Sequence, residues 1–122
     1  MKKLSGTGVA LVTPFDENGE IDFKAFKRLL NYTAKGVDYF VVMGTTGESA
    51  TLSNEEKKSI LKYVRDNNPK KLPIVYGIGG NNTQHVVAEI NSTDLKGVTA
   101  LLSVSPYYNK PSQEGIFQHF KE

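Results

Sequence analysis

The stretch Gly44-Thr45-Thr46-Gly47-Glu48-Ser49 sets two hydroxyls between two glycines, then adds a carboxylate and a third hydroxyl. It follows the apolar run Tyr39-Phe40-Val41-Val42 directly. A plain turn needs one glycine and no such cluster. Thr45, Thr46 and the amides around Gly47 offer several hydrogen-bond donors with little bulk. Successive N–H groups in a glycine turn form an anion-binding nest, suited to a carboxylate or a phosphate. The same residues also read as a tight strand–helix turn whose threonines satisfy local backbone groups. Spacing alone does not choose between the two. Glu48 could act as acid or base, although a cap or a buried salt bridge is its more ordinary role.

Pro106-Tyr107-Tyr108 is the second constellation. A phenol relays a proton when hydroxyls or an amine lie within hydrogen-bond reach. The competing reading is aromatic packing at a strand end or interface. The stretch Gly77-Ile-Gly-Gly-Asn-Asn-Thr83 resembles a dinucleotide fingerprint, but Asn82 stands at the third glycine position and no acidic partner follows the next strand, which excludes it. His85 and His119 have no second ligand at metal-binding spacing, so both read as surface residues.

These residues must be held by something regular. Strand-like apolar runs cover 9–13, 39–43, 74–78 and 99–104. They are nearly continuous in hydrophobicity, as strands buried on both faces are. Between them lie helical patterns. Phe23, Phe26, Leu29, Leu30 and Thr33 recur at helical spacing over 22–35. Ser53 and Glu56 form a capping box ahead of Ile60, Leu61 and Val64. Asn82 or Thr83 can cap a third helix with Val86, Val87 and Ile90 on its buried face. A fourth begins near Ser112 and carries Ile116, Phe117 and Phe120. Alternation of this kind predicts an α/β fold of four βα units with a parallel sheet and right-handed crossovers. An open doubly wound sheet and part of a closed (β/α)8 barrel both fit. In either, chemistry gathers at the carboxyl ends of the strands, here Thr13-Pro14-Phe15, the threonine cluster, Gly79 to Asn82, and Ser105 to Asn109.

Composition narrows the function classes. The 122 residues are 39% hydrophobic and 23% charged, with a formal net charge of +2, as expected of one globular domain over 1–122. The basic residues are dispersed, unlike the single basic face of a nucleic-acid binder. Without cysteine, disulfides and thiolate metal sites are excluded. Lys2 and Lys3 precede an apolar run that is too short and too polar for a signal peptide or membrane span, so the expected location is cytoplasmic. A closed barrel takes eight strands and roughly 250 residues. The chain supplies half of that and stops inside its fourth helix. A half-barrel leaves two open strand edges, which favours association with another copy.

"TPF" at 13–15, "GTTGESATL" at 44–52 and "SPYYNKPSQEG" at 105–115 resemble the dihydrodipicolinate synthase and N-acetylneuraminate lyase family of (β/α)8 TIM barrels. The likeness runs along the whole chain and ends where the first half of that barrel ends. The paired threonines and the Asn109-Lys110-Pro111 run resemble the synthase branch. The resemblance implies a Schiff base between a lysine and pyruvate, whose enamine then adds to aspartate semialdehyde on the way to lysine and diaminopimelate. By position, Thr46 corresponds to the ligand of the pyruvate carboxylate. Thr45 and Tyr108 correspond to members of a proton relay, with Tyr108 reaching across a tight dimer interface. A homo-oligomer, commonly a dimer of dimers, is implied, and no cofactor is called for. The imine-forming lysine lies on a later strand. None of the thirteen lysines present follows an apolar strand end, where desolvation could depress an amine pKa, and Lys110 is nearest the rim. The chain alone is therefore expected to be inactive. A related 2-keto-acid aldolase, or a non-catalytic half-barrel, are the other readings. Lysine-inhibited relatives bind their effector near Ser49, Asn81 and Tyr107, and near Ala50 and Asn54. Lys57 and His85 replace residues often found beside these, and a cation at Lys57 opposes a cationic effector.

Overall fold

Each helix starts where a short polar side chain can accept from its first free amides. Asp22 accepts from Ala25 N at 2.9 Å, opening α1 (Phe23–Thr33). Ser53 accepts from Glu56 N at 3.2 Å while Glu56 Oε2 receives Ser53 N at 2.7 Å, the reciprocal capping box expected for α2 (Asn54–Asp66). Asn82, of the two candidates, caps α3 (Thr83–Ser92), and Ser112 caps α4 (Gln113–Lys121). The computed structural model describes residues 4–122; Lys2 and Lys3, which precede the first apolar run, lie outside them.

The strands are β1 (Gly8–Ala10), β2 (Tyr39–Val42), β3 (Ile74–Gly77) and β4 (Ala100–Leu102). They form one sheet in the order β1-β2-β3-β4 with every pair parallel. A doubly wound sheet reverses its strand order at a switch point. Sequential order with right-handed crossovers instead lays the helices on one side. Phe40 pairs with Ile74 and Val42 with Tyr76, and all four join Phe26, Leu30, Ile60, Leu61 and Val64 in a single buried cluster. That is the wall of a (β/α)8 barrel, with helices outside and the opposite sheet face turned inward.

The strands are shorter than the apolar runs suggested, and burial on both faces holds only for β3, where Ile74, Val75 and Tyr76 are all buried. On β2 every second residue is buried. On β4, Leu101 and Leu102 are 37% and 49% exposed. The continuous apolar runs thus encode two faces whose burial is uneven, since Val75 is buried on the second face of β3 whereas Leu101 and Leu102 of β4 are exposed. Helix α4 departs from expectation as well. Phe117 and Phe120 face outward, and His119, expected at the surface, is buried. Its Nδ1 lies 2.8 Å from the hydroxyl of Thr83 at the start of α3, a partner that offsets the loss of water.

Candidate functional site

Beyond β2 the backbone turns sharply. Met43 takes a left-handed conformation (φ 59°), and Thr45–Gly47 form one 3₁₀ turn closed by Glu48 (φ 56°). The turn is made by its own bonds: Gly47 N donates to the Gly44 carbonyl and Glu48 N to the Thr45 carbonyl, both at 3.0 Å. Half of the anticipated nest is thereby used internally, as the i→i+3 pattern of a 3₁₀ turn demands. The donors that face outward are those of Thr45 and Thr46, both exposed. Glu48 is a cap rather than a buried salt bridge. Its side chain is exposed, and its carbonyl accepts the amide and hydroxyl of Thr51, each at 2.9 Å.

The neighbouring strand ends hold this turn. Thr13 is buried, and its hydroxyl donates to the Gly47 carbonyl at 2.7 Å. From β3, Gly77 lies so close that a Cβ there would stand 2.0 Å from the Met43 carbonyl oxygen. The loops after β3 and β4 are joined by Asn81 Nδ2, which donates to the Tyr107 carbonyl at 3.3 Å.

Two cavities adjoin the turn. A small one of about 90 Å³ lies among the ends of β2, β3 and β4 and is lined by Thr45, Ser49, Lys57, Gly77 and Glu89 among others. A larger groove of about 650 Å³ opens beside it, and Thr45, Ser49, Lys57 and Glu89 line both. All seven positions associated above with an effector, from Ser49 to Tyr107, line the groove. Lys57 Nζ lies 3.7 Å from Glu89 Oε1, each side chain 18% exposed. Glu89 was not singled out from the sequence. It stands four residues beyond His85 on α3, where helical spacing could have placed it on the same face. The Tyr76 phenol is pushed up to about 12, by burial first and by the charge of Glu89 second.

Of the residues singled out from the sequence, Thr45 borders both cavities, whereas Thr46 lies on the exposed side of the turn. Tyr108 borders neither cavity and is 91% exposed in a left-handed conformation (φ 70°). The structure therefore brings Thr45 and Thr46 together without Tyr108. Lys110 is exposed in the same loop, and the lysine that meets Thr45 at the cavity is Lys57. Among the described residues, no cluster of three His, Cys, Asp or Glu side chains could hold a metal ion. No helix among them is long and apolar enough to cross a membrane.

Sequential parallel βα units with a hydroxyl-rich rim at the strand carboxyl ends define the class: an α/β-barrel protein, of a fold whose sites gather at that rim. Within that class the chain belongs to the Dihydrodipicolinate synthetase family, which it matches over residues 3–122. It is 56% identical to the 4-hydroxy-tetrahydrodipicolinate synthase of Cytophaga hutchinsonii over 122 residues, covering 99% of this chain and 41% of that protein. Among solved structures, the dihydrodipicolinate synthase DapA-2 of Bacillus anthracis is 47% identical with a TM-score of 0.87, over 95% of this chain and 40% of that one. A chloride-inhibited dihydrodipicolinate synthase from Acinetobacter baumannii, complexed with pyruvate, is 39% identical with a TM-score of 0.89, over 95% and 40%. The 2-keto 3-deoxygluconate aldolase of Picrophilus torridus is 34% identical with a TM-score of 0.87, over 97% and 43%. The chain thus spans about two-fifths of the length of the relatives it matches.

Proposed function

We propose that these four βα units are the amino-terminal half of a pyruvate-dependent Schiff-base lyase that condenses pyruvate with aspartate semialdehyde to 4-hydroxy-tetrahydrodipicolinate. The observation that carries this reading is the Thr45–Gly47 turn, whose outward donors stand at the strand carboxyl ends beside a small cavity. Thr46 binds the pyruvate carboxylate. Thr45 passes a proton together with Tyr108, once an oligomer orders that exposed side chain across the tight interface. The imine-forming lysine is supplied from outside these 122 residues. Lys57 does not serve, because it stands on α2 rather than at a strand end and faces Glu89 at 3.7 Å.

A second reading has its own support in the aldolase of Picrophilus torridus, which shares the fold at 34% identity. The two differ in the partner of the pyruvate enamine. Fusing residues 1–122 to the remainder of the Cytophaga hutchinsonii relative, and offering pyruvate with aspartate semialdehyde or with glyceraldehyde, separates them. Product from the semialdehyde alone, lost on Thr45→Val, is the expected result. Turnover of glyceraldehyde alone selects the aldolase. Borohydride reduction of the unfused chain with pyruvate is expected to leave its intact mass unchanged. A stoichiometric adduct places the imine on a lysine of this half and overturns the division of labour.

A further inference from the structure

We infer that Gly77, Met43 and Thr13 act as positioning residues that aim the Thr45 and Thr46 donors, through a backbone crossing that only glycine at position 77 permits. The crossing stands on geometry alone; its role toward pyruvate rests on the function proposed above.

Met43 is 3% exposed and left-handed at φ 59°, a conformation that residues with side chains hold only where their surroundings over-determine it. Here two contacts of Met43 do so, one through its carbonyl and one through its side chain. The Met43 carbonyl lies over Gly77, where a Cβ would meet its oxygen at 2.0 Å, its carbon at 2.6 Å and Gly44 N at 3.0 Å. The atoms in the way are backbone, so no side-chain rotation relieves the clash. The Met43 side chain then turns beneath the 3₁₀ turn, its Cε 3.2 Å from where a Cβ of Gly47 would lie. On the far side the Leu11 carbonyl stands 3.2 Å from that same point. The Thr13 hydroxyl fixes the Gly47 carbonyl at 2.7 Å. Gly77 of β3 and the segments just after β1 and β2 thus hold the turn between them.

Such a device suits a site that must present small donors to a small anion. A displacement of about 1 Å at such a site can lower a rate by roughly a hundredfold. Gly77 and Thr13 touch no ligand in this scheme; they act through the turn.

The test uses the ¹⁵N-labelled 122-residue chain, followed by amide spectra and by pyruvate titration. Gly77→Ala is expected to displace the Thr45, Thr46 and Gly47 signals while those of α2 stay in place, and to weaken pyruvate about tenfold or more. Adding Met43→Gly, which frees the carbonyl to swing aside but removes the side chain beneath the turn, is expected to relieve the clash without returning the three signals to their wild-type positions. Should Gly77→Ala fail to fold, Thr13→Val decides, with the same displacement expected from loss of one hydroxyl. A folded Gly77→Ala or Thr13→Val chain whose Thr45–Gly47 signals coincide with wild type overturns the inference. If pyruvate moves no signal in the wild-type chain and none in its fusion to the remainder of the Cytophaga hutchinsonii relative, the carboxylate role of Thr46 fails instead, and the amide displacements still decide the positioning role.

Discussion

Lys57 of α2 and Glu89 of α3 face each other at 3.7 Å in the wall shared by the two cavities. The separation exceeds a hydrogen bond, yet both side chains are largely removed from water. A pair in that setting is marginal in net stability, whereas removal of one partner strands the other. We predict that Glu89→Gln and Lys57→Gln each destabilise the chain by about 1–2 kcal/mol, and that the double variant loses less than the sum. Urea unfolding of the four proteins gives the coupling directly. Strict additivity would show that the two charges are solvated independently.

The pair also changes what the groove can hold. A free lysine carries an excess cation, and Glu89, the acid nearest Lys57, is already engaged. Calorimetric titration of the chain with lysine is therefore expected to show nothing tighter than millimolar affinity. Lys57→Gln releases the Glu89 carboxylate for an incoming ammonium and should tighten lysine binding. Submicromolar binding to the wild-type chain would mean that groups beyond this ion pair control the groove.

Helix α2 makes stability depend on acid in a defined direction. Hydrogen bonds from the Ser53 backbone, then from its hydroxyl, hold the Glu56 carboxyl below its ordinary value of 4.5. Asp94 is lowered by the Lys96 amide first and by Arg65 next, and Asp66 by Lys62. A carboxyl depressed in the folded state stabilises it fully above its unfolded pKa, and the gain disappears as pH falls through the folded value. Unfolding midpoints should therefore decline below pH 4.5, and these three carboxyls add no slope above it. Ser53→Ala should lower stability by about 1 kcal/mol near neutrality and make the acid decline shallower. An unchanged acid limb in that variant would mean that the Ser53 backbone amide, which alanine retains, alone holds the Glu56 carboxyl down.

What could be read from residue types was local chemistry. The capping box at Ser53 and Glu56, a cap at Asn82 or Thr83 and the alternation of elements depend on neighbours within a few residues, and the structure holds all three, with Asn82 as the cap. The choice between barrel and open sheet needed the strand order, which no local pattern contains. His119 was misplaced because its partner, Thr83, is 36 residues away. The same holds for Thr13, whose hydroxyl acts 34 residues along the chain. Gly77 was passed over because it sat within an apparent dinucleotide loop, while its real constraint is the carbonyl of Met43. Apolar runs misled on burial for a different reason: hydrophobicity records the face a residue was selected for, whether or not these 122 residues cover it.

That uncovered surface leads to the last prediction. β1 and β4 each pair on one side only, so both edges present free backbone groups. Beside the β4 edge, Leu101, Leu102 and Val104 are exposed, and on α4 Phe117 and Phe120 are 59% and 51% exposed. Exposed apolar side chains beside open strand edges favour association in water. Sedimentation of the chain at micromolar concentration is expected to show dimers or larger species. Paired substitution of Leu102 and Val104 by lysine should shift the population toward monomer without loss of helical signal, since neither residue belongs to the buried cluster. A wild-type chain that sediments as a clean monomer across that range would mean that the open sheet face closes on itself. In that case the curvature it shares with the solved barrels, at TM-scores of 0.87 to 0.89, could not persist in solution.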